Sequence, residues 1–177
     1  MSAAEPDLPA PESGLPAPDP GVFRRAMGRF ATGVTVVTTS HRGVDLAMTV
    51  NAFTSVSLDP PLVLVCIEQE ARFHEAVTSS GVWGVSVLDD TARAVSGWLA
   101  TRGRPLHGQL ERVPHHRGPV TGTALLDQSL ATVECRTTAL HDGGDHTIVV
   151  GEVVSAELLG DAAAPLLWYR GGYSRLP

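Results

Sequence analysis

The segment Leu46–Ile67, LAMTVNAFTSVSLDPPLVLVCI, constrains this chain more than any other. Two β-rich runs flank a polar turn carrying Thr49, Asn51, Thr54, Ser55 and Ser57, and the Leu58-Asp59-Pro60-Pro61 corner then feeds the fully apolar run Leu62–Ile67. A strand edge with many small donors and few bulky or charged side chains suits a planar, heteroatom-rich, phosphorylated ligand. Backbone N–H groups can approach such a ligand closely, and hydroxyls satisfy phosphate and ring oxygens. The same pattern also describes an ordinary sheet with threonine and serine on its solvent face. Pattern alone leaves both readings open.

Other segments read as strands too: Val34–Thr39, Leu46–Asn51, Ala52–Leu58, Leu62–Ile67, Trp83–Leu88, Ala131–Leu140 and Thr147–Leu159. Gly43, Asp59-Pro60-Pro61, Gly81 and Asp142-Gly143-Gly144 punctuate them as turns. Phe23, Met27 and Phe30 recur at helical spacing, with Arg24, Arg25 and Arg29 on other faces, so VFRRAMGRFAT reads as a short amphipathic helix. Two further short helices are expected around Ala71–Thr78 and Thr91–Ala100. Many short strands with few helices predict a mainly β fold, a closed or nearly closed antiparallel barrel. Thr101–Gly118 has no clear period and reads as a long surface loop, a common form for a functional lid.

The 177 residues fit one domain with a real core. Residues 1–20, MSAAEPDLPAPESGLPAPDP, cannot bury enough apolar surface to offset ordering, so they read as a disordered tail before a single domain at 21–177. A net charge of −6, with no Lys/Arg-rich stripe, argues against a nucleic-acid partner. No apolar run approaches the ~20 residues that span a bilayer, which argues against a membrane segment. The N-terminus lacks a signal peptide's basic start and apolar core. Cys66 and Cys135 each sit in a strand-like run at a spacing that fits neither CxxC nor a zinc site, and they read as buried free thiols. A cytoplasmic protein without a metal is the expectation.

No GxGxxG follows a strand into a helix, so no dinucleotide is held in the Rossmann manner. P-loop and GxSxG motifs are missing as well. His115-His116 are adjacent, would face opposite ways on a strand, and read as surface residues. His146 opens the strand TIVVGEVV behind Asp145, which allows it to point into a barrel mouth. A satisfied turn histidine is the competing reading.

Four blocks, FRRAMGRFATGVTVVTT, AMTVNAFTSVSLDPPLVLVCI, GDHTIVVGEV and PLLWYRGGY, occur in this order between Phe23 and Tyr173. In these the chain resembles the short-chain flavin reductases, the reductase components of two-component flavin-dependent monooxygenases. That family is built on the FMN-binding split barrel, an antiparallel split β-barrel with a few short flanking helices. The resemblance implies an NAD(P)H:flavin oxidoreductase, with NADH or NADPH as hydride donor and FMN or FAD as acceptor. It further implies a homodimer and a separate monooxygenase that receives the reduced flavin.

Carried over on matching positions, the resemblance implies that Thr49, Asn51, Ala52 and Thr54 contact the flavin. Ala52 stands where many relatives have serine, so a hydroxyl is missing there while its backbone donor remains. Cys66 falls where relatives have a small residue beside the flavin, in a packing role. Ala71 and Arg72 open a helix, a reasonable phosphate anchor. His146 is implied at the reactive face, positioning nicotinamide or hydrogen-bonding the ring, with Asp145 orienting the turn. Tyr169, Arg170 and Tyr173 complete the pocket or a subunit contact, and Trp168 packs. Alternatives on the same barrel are a pyridoxamine phosphate oxidase-like or deazaflavin-dependent enzyme, a non-catalytic flavin- or haem-binding protein, or a barrel recruited to non-redox biosynthesis.

Overall fold

The computed structural model describes residues 16–159 and 163–176. Residues 1–15, most of the expected tail, lie outside the described residues. Residues 16–19 have no regular element and lead into helix α1 (Pro20–Met27). Asp19 caps α1 by accepting from the Val22 N–H at 2.8 Å, and Pro20 occupies the first turn, where its missing N–H costs nothing. The helix starts two residues earlier than its periodicity suggests and stops at Met27, capped by Gly28, so Phe30 lies beyond it, and it buries no residue. Val22, Phe23, Met27 and Phe30 are all more than half exposed.

Seven strands make the main sheet: β2 (Thr35–His41), β3 (Val44–Val50), β4 (Phe53–Leu58), β5 (Pro61–Glu68), β6 (Val82–Leu88), β9 (Ser129–Gly143) and β10 (His146–Leu158). Their order is β3-β2-β6-β9-β10-β5-β4, and every neighbouring pair is antiparallel. β3 and β4 are therefore the two edges of a sheet that curls, and β3 approaches β5 without pairing with it. Helix α2 (Arg72–Ser80) packs against β2, β3, β5 and β6. Its Phe73, Ala76 and Val77 join Val37, Val65, Ile67, Trp83, Val85 and Val149 in one core. Each large apolar side chain so buried contributes about 1.5–3 kcal/mol. This is the expected split barrel, with α2 packed into its core.

A second core lies outside the barrel wall. Val34 and Val36 point there while Val37 points inward, the alternation a strand requires. Leu88, Leu99, Leu110, Ala124, Leu126 and Leu166 complete this layer, which carries helix α3 (Arg93–Ala100) after a 3-10 turn at Asp90–Ala92. Five short strands have no counterpart in the sequence reading: β1 (Thr32–Gly33), β7 (His115–Arg117), β8 (Ala124–Leu126), β11 (Leu167–Tyr169) and β12 (Gly172–Ser174). β1, β11 and β12 form a small sheet, and β7 pairs with β8. The loop expected over Thr101–Gly118 thus ends in a strand, because β8 offers His115–Arg117 a partner.

The β9–β10 hairpin is the longest element, and it contains two irregularities. One extra residue on β9, Thr138, interrupts the ladder between Val150 and Gly151, and one extra residue on β10, Val154, interrupts it between Val153 and Ser155. Gly151 sits against Trp83: a Cβ there would lie 2.5 Å from Trp83 Cζ2, so only glycine lets the indole fill the barrel. No helix among the described residues is long and apolar enough to cross a membrane.

Candidate functional site

A cavity of about 360 Å³ opens between the outer edge of β3, the β5–α2 turn and the segment 101–109, a size typical of small-molecule sites. Three of the sequence-predicted residues, Thr49, Ala71 and Arg72, line it together. Thr49 Oγ1 donates to the Ser96 carbonyl at 2.7 Å, so its proton is committed to α3 and its lone pairs remain for a ligand. α2 begins at this wall with Ala71 as N-cap, and no side chain caps its first turn. Its free N–H groups and the positive end of its dipole sit beside the Arg72 guanidinium, a combination suited to an anion.

Asp145 and His146 do not line the cavity but adjoin it through Glu68. His146 opens β10 directly opposite Glu68 of β5, and Glu68 is a cavity residue. The tip is tied down twice: the Gln69 N–H donates to the Asp145 carbonyl at 3.0 Å, and Gln69 Nε2 donates to the His146 carbonyl at 3.3 Å. His146 Nδ1 lies 2.6 Å from Asp145 Oδ1. The hydrogen bond from His146 and its charge hold the Asp145 carboxyl below the usual carboxylate range. A carboxylate can only accept, so it is His146 Nδ1 that donates to Asp145.

Asn51, Ala52, Thr54 and Cys66 form a third group that flanks the cavity without lining it. Asn51, Ala52 and Thr54 are exposed, Thr54 opposes Leu64 in the β4–β5 ladder, and the Cys66 N–H donates to the Ala52 carbonyl at 3.0 Å. Both cysteines are free, but Cys66 is only half-buried where the sequence predicted burial, since it alternates with the core residues Val65 and Ile67 and so lies on the opposite face of β5. Burial pushes its thiol up, and it pushes the fully buried Cys135 thiol up to about 12, with the Glu134 charge adding to the effect.

Tyr169 and Tyr173 sit elsewhere, on the β11–β12 hairpin. Tyr173 stacks edge-on against Trp168 with ring centroids 5.1 Å apart, and its hydroxyl is 2.8 Å from Ser96 Oγ. Neither tyrosine lines the cavity. Because Ser96 also accepts from Thr49, Tyr173 supports the cavity wall from behind α3. His115 and His116 point opposite ways along β7, as alternation requires: Nδ1 of His115 meets the Val113 carbonyl at 2.7 Å and Nδ1 of His116 meets Asp127 Oδ1 at 2.8 Å. Among the described residues, no cluster of three or more His, Cys, Asp or Glu side chains offers a metal site.

The sequence reading missed Glu68, Arg102, Arg104 and Gln109, which supply much of the cavity's polar lining. Arg102 Nη2 donates to both carboxylate oxygens of Glu68, at 2.7 and 2.9 Å, bridging the cavity mouth. The available signal was the spacing of arginines in TRGRP, inside a loop already read as a lid.

Residues 27–177 match the family model described as the flavin reductase like domain. The chain is 40% identical over 154 residues to the reductase component of 4-hydroxyphenylacetate 3-monooxygenase from Thermus thermophilus, covering 87% of this chain and 95% of that protein. Among solved structures it resembles BorF, the flavin reductase component of a bacterial two-component tryptophan halogenase, with a TM-score of 0.84 and 42% identity over 90% of this chain and 99% of that one. It also resembles the NADH:FAD oxidoreductase SgcE6 of Streptomyces globisporus in complex with NAD and FAD fragments, with a TM-score of 0.84 and 36% identity over 93% and 98% of the two chains. With the model matched over nearly all of the folded chain and these relatives covered almost end to end, the protein belongs to the flavin reductase like family.

Proposed function

We propose that this protein is an NADH-dependent flavin reductase that reduces FMN or FAD and releases the product to a separate monooxygenase. The observation that carries this reading is the cavity at the edge of β3, with its arginines, its uncapped helix start and the Asp145–His146 pair next to its Glu68, in a chain of this family. The cavity fits a phosphorylated flavin by the chemistry of its donors. Arg72 and the α2 N–H groups suit the phosphate, and Arg104 brings a buried guanidinium Nε that no protein group satisfies.

Bound flavin supplies the ring that accepts a hydride from NADH, and water supplies the accompanying proton. The protein's own part is positional. Asp145 fixes the His146 ring, which would meet the nicotinamide carboxamide and set its approach. Thr49, Ala71 and Arg72 would hold the flavin's polar tail, while Asn51, Ala52, Thr54 and Cys66 would border its ring along β4 and β5. NADH is the donor we assign, following the name of the similar SgcE6.

The protein acts as a homodimer in the cytoplasm. The unburied apolar side of α1, together with Val56 and Leu58 on edge strand β4, supports self-association, and two free cysteines support a reducing compartment. The test is turnover with NADH or NADPH against FMN, FAD and riboflavin in turn. Loss of nicotinamide absorbance that saturates with added flavin is the expected result. A protein that binds flavin but oxidises neither nucleotide is not a reductase.

A further inference from the structure

Ala47 lies on the outer edge of β3, where the barrel is split. Both of its backbone groups are taken by side chains of the 101–109 segment. Its N–H donates to Gln109 Oε1 at 3.0 Å, and its carbonyl accepts from Arg104 Nη2. Gln109 in turn donates from Nε2 to the Pro105 carbonyl at 2.8 Å, and Arg104 Nη1 donates to the Thr101 carbonyl at 3.0 Å. The segment is thus fastened to a free sheet edge at one residue. The same arginine has a second attachment: its own carbonyl accepts from Arg72 Nη2.

The charges there are unbalanced. Arg102 is neutralised by Glu68, but among the described residues neither Arg72 nor Arg104 makes an ion pair. Burial lowers the Arg104 guanidinium's affinity for its proton, and the nearby Arg72 charge lowers it further. Arg104 Nε is sealed from solvent with no partner. Glu70 also lines the cavity, but two guanidiniums held together with no carboxylate at ion-pair distance are costly in the free protein. Such an arrangement is relieved when an anion arrives.

We propose that Arg104 is a positioning residue for the flavin's phosphate. By bridging Ala47 and Arg72, it aims the Arg72 guanidinium into the cavity, and so it sets the preference for phosphorylated flavins over riboflavin. This rests on the flavin-binding reading above and adds a residue and a specificity to it.

The test is equilibrium binding of oxidised FMN and of riboflavin, followed by quenching of flavin fluorescence, alongside turnover of the wild type. Riboflavin lacks the phosphate, so the ratio of the two affinities isolates the phosphate grip from general loosening of the fold. Arg104→Met and Arg104→Lys are each expected to lower that ratio about tenfold, equivalent to ~1.4 kcal/mol. Lysine fails as a replacement because it keeps the charge but loses the planar fork. Arg72→Met gives the same loss, and the double variant Arg72→Met/Arg104→Met loses little more than either single change, as residues acting through one another do. An unchanged ratio in Arg104→Met, rescue by lysine, or additive losses in the double variant would each overturn the proposal. A wild type that binds flavin without reducing it would instead defeat the reductase reading and leave the affinity ratio to be judged by itself.

Discussion

Glu134 on β9 caps the backbone of Thr121: its Oε1 accepts from the Thr121 N–H at 2.6 Å and from the Thr121 hydroxyl at 2.6 Å. The Val120 N–H donates to the same carboxylate, which is almost fully buried, at 3.2 Å. Gly118 lies so close that a Cβ there would be 2.3 Å from Oε1. Gly118→Ala therefore displaces the carboxylate, and Glu134→Gln leaves at least one buried donor facing an amide. Each is expected to cost about 1–3 kcal/mol in urea unfolding at neutral pH. Wild-type midpoints for both variants would refute this cap.

Stability should also depend on pH through this residue. Burial pushes the Glu134 carboxyl up, but the hydrogen bonds from Thr121, Val120 and Ser155 outweigh it and leave the group below its ordinary value of 4.5. With the folded-state value depressed, the stabilisation is complete above pH 4.5 and drains away as pH falls from there through the folded-state value. Thermal unfolding of the wild type should weaken across that acidic window, and Glu134→Gln should show a flatter profile. Parallel profiles would assign acid sensitivity to other carboxylates.

The two thiols should differ in reactivity. Cys135 is fully buried with its thiol pushed up to about 12, whereas Cys66 is partly exposed on β5. Titration of the native protein at mildly alkaline pH should modify Cys66 well before Cys135. On the proposed placement of the flavin ring, added FMN or FAD should slow the reaction at Cys66. Equal rates with and without flavin would remove Cys66 from the site.

Tyr173→Phe should lower stability by about 0.5–1.5 kcal/mol through loss of the Ser96 hydrogen bond. Because the tyrosine stands behind α3, the KM for flavin should change by less than the KM changes caused by Arg72→Met. A larger flavin defect than that of Arg72→Met would place Tyr173 in contact with the ligand.

His146→Ala should raise the KM for NADH about tenfold, the value of one hydrogen bond of ~1.4 kcal/mol. His146→Gln, which retains an acceptor, should recover part of the loss. Steady-state rates with NADH varied at saturating flavin give the comparison, and an unaltered KM in His146→Ala would exclude contact with the nicotinamide.

The barrel strands were legible because their patterns are local. β2, β5, β6 and β10 carry β-branched runs that the chain announces within a few residues. The two- and three-residue strands were not, because β1 exists only through Leu167 and Trp168, and β7 only through Leu125 and its neighbours. Helix α1 marks a different limit: spacing encodes an apolar side but not what covers it. In the site, Thr49, Ala71 and Arg72 were legible through the hydroxyl-rich edge and the helix start. Arg104 and Gln109 were not, since they act on the backbone of Ala47 from a segment without a period. Tyr173 shows the converse, a residue that resemblance pointed to and that the fold places behind the cavity wall.

The paired irregularities of the long hairpin have a consequence for length variation. Thr138 is surplus on β9 and Val154 is surplus on β10, so the two cancel, and the pairing near the Asp145–His146 tip has the same offset as the pairing at the base. Deleting either residue alone would throw one strand out of phase and turn side chains between the two bulges toward the wrong face. Deleting both would restore the phase. Change of length in this hairpin is therefore tolerated in compensating pairs, a constraint that the aperiodic segment across the cavity does not share.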